Sequence, residues 1–413
     1  MATASENFTA ANGTAISSLA NWEYVRGSGS DLQVQSNGLT WDGTTNDDVG
    51  ARWKTSSASF SANHFARLRF ASVAAQDSGL GVGVRMGAAG SSAYYGFYVQ
   101  GNGNAAWTFR HSGTFSELSN TGTGFATPPD LTTSDDIALY VVGQALLPLL
   151  TGELYARDVA EQREYGVVDG NLTSGQPGVA AWDGGVGNQS MRGDDWTAGD
   201  LQHALPTSTV SNSGSWTITG ASTVHEALDE AATAIDTTTY VTTPGNPNNA
   251  AFEVALGSLS APSVDDDHVV MVYAQFVSGG RTLSLQIEVY QGTTQIATRT
   301  VSNITSATTA WQLLGYRLTT SEAAAITDYS NLRVRVTCNA TGTGASTTLR
   351  VSWITLVCPT ATGAAAASLP IRRRATRVWI RSIGYGTYLL RCLSGHIGHG
   401  RRRRRPAGAA AGG

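Results

Sequence analysis

Gly79-Leu-Gly-Val-Gly-Val-Arg-Met86 alternates strictly. Leu80, Val82, Val84 and Met86 fall on one face, and Gly79, Gly81 and Gly83 on the other. A period of two is the period of a β-strand. One face buries hydrocarbon, and the glycine face lets another group approach the backbone closely. The same pattern recurs on both sides of this stretch. Leu32 and Val34 alternate with Gln33 and Gln35, Tyr95, Phe97 and Val99 share a face, and Ile137, Leu139 and Val141 follow. Beyond residue 212, Phe252, Val254 and Leu256 point one way. Leu283, Leu285, Ile287 and Val289 alternate with polar partners, as do Leu332, Val334, Val336 and Cys338. His268–Phe276 is apolar on both faces, as a central strand is. Turn residues separate these runs about every ten positions, the spacing of an all-β sandwich.

The composition agrees. The chain has 413 residues, of which 14% are charged and 41% hydrophobic, with 47 Gly, 10 Trp and a single lysine, Lys54. That is too few charges for a helical bundle and enough hydrocarbon for real cores. The pattern predicts two antiparallel β-sandwiches in series: one over 1–200, a linker over 201–212, a second sandwich with two short helices over 213–358, and a basic tail over 359–413. One helix is expected over Thr223–Ile235, with Val224, Leu228, Ala231 and Ile235 on one side. The other follows the capping box Thr319-Thr-Ser-Glu322 and runs to Thr327.

Charge is divided unevenly. The last acid is Asp328, and residues 360–413 carry 11 Arg with no acid. Residues 1–359 hold 16 basic against 31 acidic residues, a net of −15. Such a tail suits an interaction arm, and Arg401, Arg402, Arg403, Arg404 and Arg405 are its candidate contacts to nucleic acid or another partner. The abrupt change of composition near 360 also fits an unstructured solubilising tail or an out-of-frame extension. Three cysteines, at 338, 358 and 392, cannot build a disulfide framework. In a hairpin turning near Gly342–Gly344, Cys338 would face residue 348 rather than Cys358, so free buried thiols are expected. Met1–Asn7 has no basic start and no apolar run, so no secretion signal is expected. The apolar stretch Ile137–Leu150 is short and interrupted by Gln144 and Pro148, so no membrane span is expected either.

Enzyme signatures are missing. There is no Gly-x-Ser-x-Gly, no phosphate-binding loop and no Glu-x-Asp-x-x-Glu strand motif. His225-Glu226 is followed by Asp229 where a zinc protease has its second histidine. The reading is therefore a non-enzymatic protein that requires no cofactor.

Two acidic turns are the candidate binding loops: Trp41-Asp-Gly-Thr-Thr-Asn-Asp-Asp48 and Trp182-Asp-Gly-Gly-Val-Gly-Asn188. A Trp face stacks on the C–H groups of a sugar, while carboxylates and amides take its hydroxyls. Trp41, Asp42, Trp182, Asp183 and Asn188 are the candidate glycan contacts. Asp47 and Asp48 are candidate ligands for Ca²⁺, which takes oxygen donors from loops. The competing reading is that Asp-Gly is ordinary turn chemistry and each Trp is core.

An ordered series of segments carries a resemblance. It runs Asn7-Phe-Thr-Ala-Ala-Asn-Gly-Thr14, Asn21-Trp-Glu-Tyr24, Val49-Gly-Ala-Arg-Trp53, Ser61-Ala-Asn-His-Phe-Ala-Arg-Leu68, Ala93-Tyr-Tyr-Gly-Phe97, Thr173-Ser-Gly-Gln-Pro-Gly178 and Asp194-Asp-Trp196. Over residues 5–200 it resembles the concanavalin A-like (laminin G-like) jelly roll of bacteriophage structural proteins. Residues 143–165 depart from that pattern, and Ala145–Leu150 is unusually apolar. Trp216, Ala221–Glu230, Asp236–Tyr240 and Ile326–Arg335 are similar to a second β-sandwich of phage virion proteins. The resemblance implies a virion component, either a capsid decoration or a tail or fibre part. It would be homo-oligomeric, contact other virion proteins and a host-surface glycan, and bind no membrane. A free lectin-like bacterial protein and a sandwich-fold glycoside hydrolase are the alternatives.

Overall fold

The computed structural model describes residues 2–28, 31–41, 48–73, 79–100, 106–120, 131–133, 135–153, 166–182, 191–304 and 310–361. They belong to one compact unit, and its sheets are antiparallel throughout the named pairings. The tail residues Arg401–Arg405 lie outside the described residues.

Among the described residues the strands form three sheets, of fourteen, seven and five strands, and the largest contributes to three apolar cores. The outermost layer of the N-terminal half has seven strands. Their spatial order is Phe115–Asn120, Ala106–Ser112, Ala93–Gln100, Gly79–Met86, Gln176–Trp182, Asp48–Trp53 and Trp22–Arg26. Its inner face meets the strands Asp136–Val142 and His64–Ser72 over a core that includes Leu80, Val82, Val84, Phe97, Leu139 and Trp196. Leu80, Val82 and Val84 thus point where the alternation puts them.

Met86 does not. The strand carries an extra residue opposite Gln176–Gly178, and Arg85 takes a left-handed φ of 49°. This bulge turns Met86 onto the glycine face, beside Tyr94 and Phe109. A Cβ at Gly83 would stand 2.9 Å from the Met86 thioether. The close approach that the glycines permit is therefore made by the sheet's own side chains.

The expected linker 201–212 is strand. Arg192–Ala204 pairs with His64–Ser72 as far as Asp200, then continues as Leu201–Ala204 against Leu356–Pro359. Pro206–Ser211 follows at the edge of a five-stranded sheet. One continuous ladder therefore carries the chain from the first sandwich into the second. The second sandwich packs Val269–Ser278, held between Trp311–Arg317 and Thr348–Pro359, on that five-stranded sheet.

The third core lies between the two halves. Phe65, Tyr140, Leu147 and Leu149 from one meet Met271, Leu313, Trp353 and Val357 from the other. This explains the apolar run Ala145–Leu150. Leu146 faces the first core while Leu147 and Leu149 face the third, so both sides of the strand are buried.

The helix expected over Thr223–Ile235 is a single 3-10 turn, His225–Ala227. Val224 and Leu228 enter the second sandwich's core, whereas Ala232 and Ile235 enter the core between the halves, and Ala231 is exposed. One helix face cannot serve two separate cores. The capping box does form: Glu322 N donates to Thr319 Oγ1, and Thr319 N donates to Glu322 Oε2 at 2.8 Å. It starts a helix over Thr320–Ala324, shorter than expected.

Leu332–Thr341 and Thr348–Pro359 lie in different sheets rather than as a hairpin, and Cys338 and Cys358 are free and buried. Burial pushes both thiols up to about 12. A Cys392→Ser variant is expected to show no thiol reacting with a thiol reagent at pH 8 while folded, and two after denaturation. One fast-reacting thiol in the folded protein would contradict this burial.

Candidate functional site

The outward face of the seven-stranded sheet is built around small residues. Gly79, Gly81 and Gly83 sit beside Gly178, Ala180 and Trp182, and these beside Gly50 and Asp48. Aromatic rings from Ala93–Gln100 and Ala106–Ser112 lean over this floor. A Cβ at Gly79 would lie 2.5 Å from the Tyr98 ring, and one at Gly96 would lie 2.2 Å from Phe109. Glycine at these two positions is what lets the rings lie flat on the backbone.

The lower half of the face is closed. The turn Gly87–Ser92 folds over it, with Ser92 N donating to Val25 O at 3.1 Å, and the His111 ring stacks on Tyr94. Phe115 stacks on Phe109. The upper half brings three rings together, with Tyr98 buried at 3% exposure beneath two indoles. Tyr98 lies 6.4 Å from Trp182 with their planes 7° apart, and Trp107 lies 5.2 Å from Tyr98 and 5.9 Å from Trp182. Both indoles are half-buried, so each keeps surface for a ligand. Asp48 is the cross-strand neighbour of Trp182, and Glu117 is exposed opposite Phe109. Burial raises the Tyr98 hydroxyl well above its ordinary value, with Asp48, Tyr94 and Glu117 adding to the effect. The phenol therefore stays protonated and remains a donor.

Of the sequence candidates, this face holds Trp182 and Asp48. Trp41 is not there: it is 1% exposed and belongs to the inner core with Leu39 and Trp196. Its strand, Leu39–Trp41, is in the opposite layer, so the indole cannot meet a ligand on the outer face. Asp42, Asp47, Asp183 and Asn188 lie outside the described residues. The two Trp-Asp-Gly turns nevertheless begin and end side by side. Asp48 pairs with Trp182, and Thr40 Oγ1 donates to Met191 O at 2.9 Å. The described residues that flank the two motifs thus lie at the same end of the sandwich. Tyr98 and Trp107 escaped the sequence reading, because their role depends on strand register, which loop motifs do not show. The alternation Tyr94, Gly96, Tyr98 was the available signal.

Among the described residues, no three His, Cys, Asp or Glu side chains converge as a metal site would. No helix among the described residues is long and apolar enough to cross a membrane.

No protein-family model matches the chain, and comparison with characterised proteins finds no relative. Among solved structures it is similar to the carbohydrate-binding module CBM66 from Bacillus subtilis, at 15% identity and TM-score 0.29, over 44% of this chain and 92% of that one. A Bacillus licheniformis β-glucanase is similar at 9% identity and TM-score 0.30, over 48% and 97%. A Bacillus subtilis protein with a galectin-like fold is similar at 9% identity and TM-score 0.29, over 46% and 94%.

Proposed function

We propose that the chain is a non-catalytic, glycan-binding structural component of a bacteriophage virion. The observation that supports binding is the platform of Trp107, Tyr98 and Trp182 with Asp48 beside it. The part-exposed indoles of Trp107 and Trp182, braced by the buried Tyr98 and Asp48, suit the C–H surface of a sugar ring. The virion assignment rests on the ordered segments between Asn7 and Trp196 and their similarity to phage jelly rolls. Homo-oligomeric assembly with other virion proteins belongs to the same reading.

Binding is tested by titrating the full chain on a glycan array and then by calorimetry on the best hit. Trp107→Ala and Trp182→Ala are each expected to weaken binding about tenfold or more, a loss of about 1.4 kcal/mol, with the circular dichroism spectrum unchanged. Unaltered affinity in both variants would remove the platform as the site. Asp48 and Glu117 both act on Tyr98, so two carboxylates share this face and hydrolysis is the rival reading. Release of reducing sugar that disappears in Asp48→Asn would favour the rival over a binding role. A mass-spectrometric inventory of purified particles tests the virion assignment, and absence of the chain from them would overturn it.

A further inference from the structure

At the opposite end of the strand Gly79–Met86, six residues or about 20 Å from the aromatic platform, a cavity of about 90 Å³ opens where the two sandwiches meet. Asn63, Arg85, Gly143, Gln144, Thr173 and Thr233 line it. Thr233 comes from the second sandwich and the others from the first.

Arg85 is the unusual member. It is 2% exposed. Its Nε donates to Ala62 O at 3.1 Å and its Nη1 to Leu172 O at 2.6 Å. Among the described residues it has no carboxylate partner, and burial lowers its affinity for the proton. The acids of the neighbouring loops are committed elsewhere. Asp169 is held by Tyr95, Arg110 and Asn171, and Asp200 accepts from Ala2 N and Ser61 N, both at 2.7 Å. A buried guanidinium without a counter-charge is costly, yet the fold fixes this one with care. Its φ of 49° is held because Arg85 N donates to His64 Nε2 at 3.0 Å, while His64 Nδ1 donates to Ser61 O. Burial draws that imidazole down to about 4, so it is neutral and can accept. Gly175 leaves room for the bent backbone: a Cβ there would stand 2.3 Å from the Arg85 carbonyl carbon.

The rest of the lining is rich in donors and contains no acid. Asn63 Oδ1 accepts from Gly143 N at 2.9 Å, which leaves its NH₂ group to donate. No hydrogen bond to another described residue engages the side chains of Gln144, Thr173 or Thr233. Strain, a cation with no carboxylate partner among the described residues, and donors that no described residue engages meet at one small opening, a combination typical of a functional site.

We propose that this cavity binds a small oxyanion, a carboxylate or phosphate group, between Arg85 and the donors of Asn63, Gln144, Thr173 and Thr233. The planar guanidinium fork matches the geometry of both groups. An anion seated there would contact both sandwiches and supply a counter-charge that no described residue gives Arg85. The inference does not depend on the glycan reading.

The test is thermal denaturation and calorimetry of the full chain in sodium phosphate, sodium glucuronate, glucose and sodium chloride, at matched ionic strength where salts are compared. A saturable rise in Tm with phosphate or glucuronate, absent with chloride and glucose, is expected. A response to phosphate alone identifies free inorganic anion, and one to glucuronate as well identifies the carboxylate of a sugar acid. Arg85→Met should abolish the response. Thr233→Glu guards against a variant that fails to fold, because Thr233 is exposed at the mouth and the new carboxylate repels the anion. It should weaken binding at least tenfold while leaving the Tm in chloride unchanged. An equal rise in chloride, no saturable rise in any anion, or full binding by Thr233→Glu would overturn the proposal.

Discussion

Gly81→Ala is expected to lower stability by about 3 kcal/mol or more, the upper end of what overpacking costs. The added Cβ would lie 1.9 Å from the Phe97 carbonyl oxygen and 2.6 Å from the Tyr98 Cα. Both obstacles are backbone. They belong to a strand that hydrogen-bonds to Gly79–Met86 on one side and to Ala106–Ser112 on the other. No rotamer change can relieve such a contact, so the two strands must part. Tyr98 would move with them, and glycan binding should fall together with stability. Gly113→Ala is the control. Its φ is +83° with nothing within 4 Å of the added carbon, so it carries only the left-handed backbone cost of about 1 kcal/mol. Urea denaturation followed by tryptophan fluorescence measures both. Equal losses would mean that the sheet can yield at Gly81, and that the close packing described on this face does not limit it.

Gly81 also shows how far the sequence could be read. Alternation gave the strand and its inward face, because side chains on a pleated backbone must alternate. It could not show the bulge at Arg85, which depends on how Gln176–Gly178 pairs opposite, and so it put Met86 on the wrong side. The same boundary between local and long-range information recurs elsewhere. The capping box at Thr319 involves four consecutive residues and was legible. The apolar spacing of Thr223–Ile235 was real, but two different cores claim it. Leu201–Asn212 looked like a linker because Pro206 and several Ser and Thr interrupt it, yet it pairs with residues about 50 and 155 positions away. Trp41 and Trp182 carry the same Trp-Asp-Gly signature and sit in opposite layers of the sandwich. A motif fixes turn chemistry; strand register decides which face each ring meets. The same limit hid Arg85, whose lack of an acidic partner among the described residues is a fact of three dimensions.

Arg317→Met is expected to cost about 3–5 kcal/mol, whereas Asp267→Asn at the same junction should cost under about 1 kcal/mol or stabilise. The junction is an ion cluster at the seam between the sandwiches. Arg67 pairs with Asp266 at 2.9 Å and Asp267 at 3.3 Å. Arg317 pairs with Asp136 at 2.6 Å and lies 3.7 Å from Asp267, which also accepts from the Tyr140 hydroxyl at 2.7 Å. Removing Arg317 strands the largely buried Asp136 and leaves Asp267 with Arg67 alone, the expensive way to break a buried pair. Removing the charge of Asp267 strands nothing, since Arg67 keeps Asp266 and Arg317 keeps Asp136. Asparagine has the same shape, accepts from Tyr140 equally well and tolerates the left-handed φ of 56° found there. Burial pushes the Asp267 carboxyl up to about 6, with Arg67 and Arg317 pulling against it and Asp266 adding to it. An unfolded aspartate titrates near 3.9, so the native state binds this proton first. The group's contribution to stability is complete below about 4 and is lost as pH rises through 6. Stability measured from pH 4 to 8 should therefore decline less steeply through that window in Asp267→Asn than in the parent chain. A loss in Asp267→Asn as large as that in Arg317→Met would show that the Asp267 charge, rather than its shape and its hydrogen bond to Tyr140, holds the two sandwiches together.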